Sequence, residues 1–186
     1  IHSVVITSLG VYTFHLCLDS VVINDIDIGE GIIDLCVVSG PLEETEEVYV
    51  RPVKQIRDVF IAGSRFASLK NQVLSWDKLQ KLPIICLEKG TSSRSYVDLF
   101  LKENGLELRP EFELATSDMI VQFVARNLGI GVVVASFAEE YIQSKEIFEL
   151  KFDPPIPPRA FYVATNRKNP LSKAGKSMLE LFQTEF

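Results

Sequence analysis

Short apolar runs rich in Val, Ile and Phe alternate along this chain with stretches of helical period, the sequence form of an α/β protein with largely parallel sheets. Strands are expected at 11–18, 33–38, 48–53, 58–63, 83–87, 111–115, 131–135, 148–152 and 159–166. Helices fill the gaps. A short one begins after Ser75 as N-cap; a second is capped by Thr91 or Ser92 and closed by Asn104-Gly105; the last opens at Asn169-Pro170 and runs to the end. The clearest module is 114–134, LATSDMIVQFVARNLGIGVVV. In it Leu114 and Ala115 end a strand, Thr116 or Ser117 caps a helix, and Ile120, Val121, Phe123, Val124 and Leu128 make its apolar face. Asn127 suits the left-handed conformation that ends such a helix, and Gly129 and Gly131 allow a close turn into the next strand. The glycines follow the helix, whereas a dinucleotide-binding fingerprint sets them before it.

One segment resists this scheme. If Ile1–Ser3 ends a first strand and Val11 opens a parallel neighbour, the crossover needs about a dozen residues, and 4–10 cannot supply it. Either the first stretch is no strand or a segment is missing near Leu9–Gly10.

With 186 residues and 47% apolar content, the chain has ample material for one large domain or two small lobes. No window approaches the run of about eighteen apolar residues that a membrane span requires, and IHSVVITSLG lacks the features of a secretory signal, so a cytoplasmic location without membrane contact is expected. A net charge of −6 argues against a grip on nucleic acid; Arg167-Lys168, with Lys173 and Lys176, reads as the solvated face of a terminal helix. The acidic run 43–47 reads as a solvated loop without calcium-binding geometry. Cys17, Cys36 and Cys86 are odd in number, widely spaced and set among apolar neighbours, hence reduced, buried thiols with neither a disulfide framework nor a metal site.

Catalysis finds little support. Only His2 and His15 are present, and no Ser-His-Asp order, Gly-x-Ser-x-Gly, Cys-x-x-Cys or His-x-x-x-His occurs. What recurs is hydroxyl residues where a strand gives way to a helix. Thr91, Ser92 and Ser93 follow PIICL, Thr116 and Ser117 follow EFELA, and Ser3 and Ser20 hold comparable strand-end places near the start. Helix starts present unpaired N–H groups and a positive dipole end, which favour an anion, so these seven residues are the candidate ligand site for a small carboxylate or other oxyanion. For each of them plain helix capping is the alternative. His2 is a possible further donor, and Arg94 is either a partner for a ligand carboxylate or half of a solvent-facing salt bridge.

The order EGIIDLCVVSGP, VFIAGSRFA, the long stretch from WDKLQKLPIICLEKG to FAEEYI, and PPRAFYVATNRKNPLSKAGKSMLELF resembles the effector-binding domain of LysR-type transcriptional regulators over nearly the whole chain. Its most specific parts are Gly31-x-x-Asp34-Leu35 and the 113–134 module; Asn127 stands where a glycine is usual, and Ser136 where a proline often follows. The resemblance implies a fold like type II periplasmic binding proteins: two α/β lobes joined by two crossover strands, Val59–Gly63 and Phe161–Thr165. Lobe I is then 1–60 plus 165–186, and lobe II 61–164. It further implies a small-molecule effector, no cofactor, antiparallel dimers that use helices near Val22–Gly29 and Ser117–Asn127, tetramers at full length, and DNA contact only through an N-terminal winged helix-turn-helix absent here. An extracytoplasmic solute-binding protein of the same fold, or an enzyme on that scaffold, are the alternatives, separable by what is encoded upstream.

Overall fold

A computed structural model describes residues 4–6, 14–16, 35–40, 44–168 and 170–184. Contacts divide it into two compact units, one formed by Ile1–Gln55 with Arg159–Phe186 and the other by Ile56–Pro158. The chain therefore passes between units at 55–56 and again at 158–159.

The first unit holds a five-stranded sheet. Its strands are β1 (Val4–Ile6), β2 (Phe14–Leu16), β3 (Leu35–Ser39), β4 (Val48–Ile56) and, after the whole second unit, β11 (Arg159–Asn166), in the order β1-β2-β3-β11-β4. The β1 and β2 strands pair antiparallel, Val4 opposite Leu16, so the short connection 7–13 needs no crossover. Among the described pairings of this sheet β2 and β3 run parallel; β11 opposes β3 with Phe161 facing Ser39 and Thr165 facing Leu35. Arg167 N–H donates to Glu47 O at 2.9 Å, which sets the end of β11 beside the start of β4. Those two strands thus run in opposite senses, and the chain leaves and re-enters this sheet at one end. The buried Leu35, Val37 and Val163 form the core, with Leu171 and, from the last helix, Lys173–Thr184, Met178 and Leu179 packed against them.

The second unit is built on a six-stranded sheet of β5 (Asp58–Gly63), β6 (Val73–Leu74), β7 (Ile84–Leu87), β8 (Phe112–Leu114), β9 (Ile130–Val134) and β10 (Ile147–Phe152), in the order β6-β10-β5-β9-β7-β8. Its connections carry the helices α1 (Trp76–Leu79), α2 (Ser92–Glu103), α3 (Ser117–Ala125) and α4 (Glu139–Gln143), and a 3₁₀ turn over Ser64–Leu69 follows β5; the Lys173–Thr184 helix is α5. The period of two sorts the strands onto two cores. Phe60, Ala62, Ile84, Cys86, Ile130 and Val132 point to one face, where Trp76, Leu79, Val97, Phe100 and Leu101 of α1 and α2 cover them. Val59, Ile61, Ile85 and Val133 point to the other, under Ile120, Val121 and Val124 of α3. On the first face Trp76 stacks on Phe152 with centroids 4.3 Å apart, and its indole N–H donates to Pro154 O at 2.9 Å.

Several sequence expectations need correction. The sheets are mixed: β10 and β9 both run antiparallel to β5, because hydrophobic alternation carries no information on strand direction. Ser75 is the N-cap of α1 as expected, but its hydroxyl makes no capping hydrogen bond. The last helix begins at Lys173 instead of Asn169-Pro170, and Ser172 Oγ accepts from Gly175 N–H at 3.0 Å. Gly129 and Gly131 serve close packing, not turn freedom. A Cβ on Gly129 would lie 2.7 Å from Pro83 O, and one on Gly131 2.6 Å from Ile120 Cγ2, so both let elements approach that a methyl would push apart.

The charged runs of the sequence also find each other. Arg167 donates to Glu44 and, at 3.0 Å, to Thr45 O, while Lys168 Nζ meets Glu47 at 2.8 Å. Basic pair and acidic run therefore form one surface clamp: the acidic run is the exposed loop that was expected, while Arg167 and Lys168 precede α5 instead of lying on its face. Cys36 and Cys86 are buried thiols outside any disulfide; Cys17 lies outside the described residues.

Candidate functional site

The parallel neighbours β7 and β8 end side by side, Leu87 opposite Leu114, and Glu88 N–H donates to Leu114 O at 3.0 Å. Each strand then feeds a helix, so the starts of α2 and α3 are delivered to the same edge of the sheet. The β5 strand runs antiparallel to β9, with Asp58 facing Val134, and this brings its first residue to that edge as well. Ile56 and Asp58, where the chain enters the unit, thus lie at the end where the two helices begin.

Both threonines are caps. Thr91 Oγ1 accepts from Arg94 N–H at 3.3 Å and donates to Glu88 O at 3.3 Å, and Thr116 Oγ1 accepts from Met119 N–H at 3.4 Å. These are long bonds, so each hydroxyl holds its turn weakly. Ser92 is buried at the first position of α2, whereas Ser93 and Ser117 are half-buried. The structure thus brings Thr91, Ser92, Ser93, Thr116 and Ser117 to one edge of one sheet. Ser3, Ser20 and His2, with the suspected gap at 9–10 and the helix expected near Val22–Gly29, lie outside the described residues.

Beneath the first turn of α2 is a cavity of about 10 Å³, lined by Asp58, Cys86, Leu87, Ser93, Arg94, Val97 and Val132, the space of about one water. Ser93 is the one predicted ligand residue on its wall. Arg94 is the feature that sequence reasoning misplaced: its side chain is 2% exposed, neither solvent-facing nor free for a ligand acid. Its Nε donates to both oxygens of Asp98 at 2.9 Å, and its Nη1 donates to Leu87 O and Glu113 Oε1, each at 2.8 Å, and meets Cys86 Sγ at 3.0 Å. Burial opposes the guanidinium's charge, but the bonds to Glu113 and Asp98 outweigh it and hold its pKa above the ordinary arginine value. Burial also pushes the Cys86 thiol up to about 12, with Arg94 only partly offsetting it. That makes Cys86 an inert neighbour, not a nucleophile. The Asp98 half of this arrangement was visible in the sequence as an i, i+4 pair; Glu113, on another strand, was not. Among the described residues no group of His, Cys, Asp and Glu is placed to hold a metal ion, and no helix is long and apolar enough to cross a membrane.

Comparison with known proteins fits this geometry. Residues 25–186 match the family described as LysR substrate binding domain. A 75-residue stretch is 32% identical to the HTH-type transcriptional activator CmpR of Synechocystis, covering 40% of this chain and 25% of that protein. A 155-residue stretch is 25% identical to the "Probable RuBisCO transcriptional regulator" of Cyanidium caldarium, covering 81% of this chain and 49% of that one. The chain thus spans between a quarter and about half of these relatives. Among solved structures, the regulatory domain of Synechocystis CcmR in complex with 2-PG superposes with a TM-score of 0.72 at 23% identity, over 85% of this chain and 76% of that one. The effector binding domain of QuiR in complex with shikimate gives 0.67 at 16% identity, over 86% and 74%. Both share its fold, which is that of periplasmic binding proteins. With 162 of its positions, 25 through 186, inside the family match, the chain belongs to the LysR substrate-binding domain family.

Proposed function

We propose that this chain is the effector-sensing part of a LysR-type transcriptional regulator and takes a small oxyanion, a carboxylate or phosphate ester, at the carboxyl edge of the second unit's sheet. The observation that carries the reading is the delivery of two helix starts, Thr91–Ser93 and Thr116–Ser117, to neighbouring ends of the parallel strands β7 and β8. The positive dipole ends of such helix starts suit negative charge, and CcmR's regulatory domain is seen with 2-PG. Binding forms no covalent bond, in keeping with relatives that are transcriptional regulators. DNA contact belongs to a separate N-terminal head, in the cytoplasm. Effector binding shifts the population of domain arrangements and so the presentation of that head; a coupling of about 1–3 kcal/mol is enough.

Three further elements belong to the same reading. The two units act as the family's two lobes. The antiparallel pairing of β1 with β2 removes the crossover that motivated a segment missing near Leu9–Gly10, and sequencing across that stretch decides it. Homo-oligomers form through α3, whose Met119 is exposed, as is Phe112, which meets Phe123 of the same helix edge-to-face at 5.8 Å.

The test is calorimetric titration of the 186-residue chain with 2-phosphoglycolate and a panel of small carboxylates. Ser117→Ala is the cleanest variant, because Ser117 is not the cap of its helix; Thr91→Ala and Ser92→Ala accompany it. Each is expected to weaken binding by about tenfold, equivalent to about 1.4 kcal/mol. Thr91→Ala also loses about 0.5–2 kcal/mol of stability with its cap. Unchanged affinity in all three sinks the site assignment.

A further inference from the structure

The fastening of Arg94 points to a role that capping and core packing leave unassigned. One guanidinium ties three elements together: α2 through Asp98, β7 through Leu87 O and Cys86 Sγ, and β8 through Glu113. Its side chain is 2% exposed, while those of Asp98 and Glu113 are 39% and 38% exposed. The cation is therefore the hidden centre of a bracket whose carboxylates reach the surface. Two carboxylates already face one positive charge. An acidic ligand group arriving at Arg94 meets a negative surplus and has to displace a partner held at 2.8–2.9 Å. Direct capture of the ligand by Arg94 is the losing reading on charge alone.

We infer that Arg94 is a positioning residue for the effector site: it fixes the first turn of α2 against the ends of β7 and β8, so that Thr91–Ser93 hold a set spacing from Thr116–Ser117. This rests on the site proposed above. The Thr91 cap cannot do it alone, since its bond to Arg94 N–H is 3.3 Å long. Nor can lysine replace the arginine: a single ammonium on a flexible stem cannot span Asp98, Leu87 O and Glu113 together, whereas the planar fork does. Glu113 is the partner that β8 supplies, so the placement of the start of α2 relative to β8 and the helix that follows it depends on the Arg94–Glu113 bond in particular.

The experiment measures amide hydrogen exchange and 2-phosphoglycolate binding on the 186-residue chain with Arg94→Lys and Glu113→Gln. The amides to follow are Arg94, bonded to Thr91 Oγ1, and Ser95, bonded to Thr91 O at 2.9 Å. Both variants are expected to speed exchange there by about tenfold or more, with Val97 to Leu101 at wild-type rates, and to weaken 2-phosphoglycolate binding, Arg94→Lys more than Glu113→Gln. If Arg94→Lys fails to fold, Glu113→Gln decides, since its half-exposed side chain is not part of the core. Wild-type exchange at Arg94 and Ser95 in the folded variants overturns the inference. So does a loosened turn that leaves binding intact. Should the wild type take up no 2-phosphoglycolate, the ligand proposal fails by itself, and the exchange rates still decide the role of Arg94.

Discussion

Asn127 shows how one side chain does two jobs. Its φ of 63° is the left-handed conformation that ends α3, as its place in the sequence suggested. The second job was invisible there: Oδ1 accepts from Arg65 N–H at 2.7 Å and so caps the 3₁₀ turn that follows β5, some sixty positions upstream. The backbone of Gly63 lies so close that a Cβ there would fall 2.5 Å from Asn127 Oδ1 and from Val124 O. The family's usual glycine would keep the φ and lose the cap. Asn127→Gly is therefore expected to lower stability by about 0.5–1.5 kcal/mol, and Asn127→Ala by about 1–2 kcal/mol more, because alanine is strained at positive φ. Urea titrations that rank alanine equal to glycine would refute the backbone half of this account. Site residues divide the same way. Thr91 and Thr116 were legible because a cap is a local event, whereas Arg94 was not, because its partner Glu113 arrives from a different strand.

Among elements, strand positions were largely readable, since a period of two marks them whatever their neighbours. Direction was not: the antiparallel course of β5 against β9 and β10 depends on pairings between distant segments. The pairing of the surface charge runs was unreadable for a related reason: both are exposed, as expected, and only the fold sets 44–47 beside 167–168. The clamp has a measurable signature. A hydrogen bond from Lys168, followed by its charge, holds the Glu47 carboxyl below the ordinary 4.5. A depressed carboxyl contributes stability above its unfolded value and loses it as pH falls through the folded one, so the clamp is expected to weaken below about pH 4.5 and in high salt. In an NMR titration Lys168→Met should bring Glu47 back toward 4.5; a Glu47 that does not move would mean the pair does not form in solution.

Taken as a molecule, the chain distributes its cores unequally. The second unit is continuous, 56–158, and covers both faces of its sheet with its own helices. The first is assembled from two pieces that lie before and after it. A fragment of 56–158 is accordingly expected to unfold cooperatively on its own, with Leu101→Ala and Ile120→Ala on opposite faces each costing about 2–5 kcal/mol. A fragment without a cooperative transition would show that the division into units is not energetic. The resemblance implies boundaries at 60–61 and 164–165, inside two crossover strands; contacts group β5 with the second unit and β11 with the first.

The neighbouring exits of β4 and β11 bear on how the chain is made. During synthesis the β3 strand emerges long before β11, its partner, and waits while the entire inserted unit is translated. Once that unit has formed, the loop that must close for β3 to meet β11 is no longer a long random coil but a compact body, and its closure entropy shrinks accordingly. Pairing of β11 with β3 is therefore expected to follow formation of 56–158, and a lesion that merely slows 56–158 should appear first as failed assembly of the other sheet.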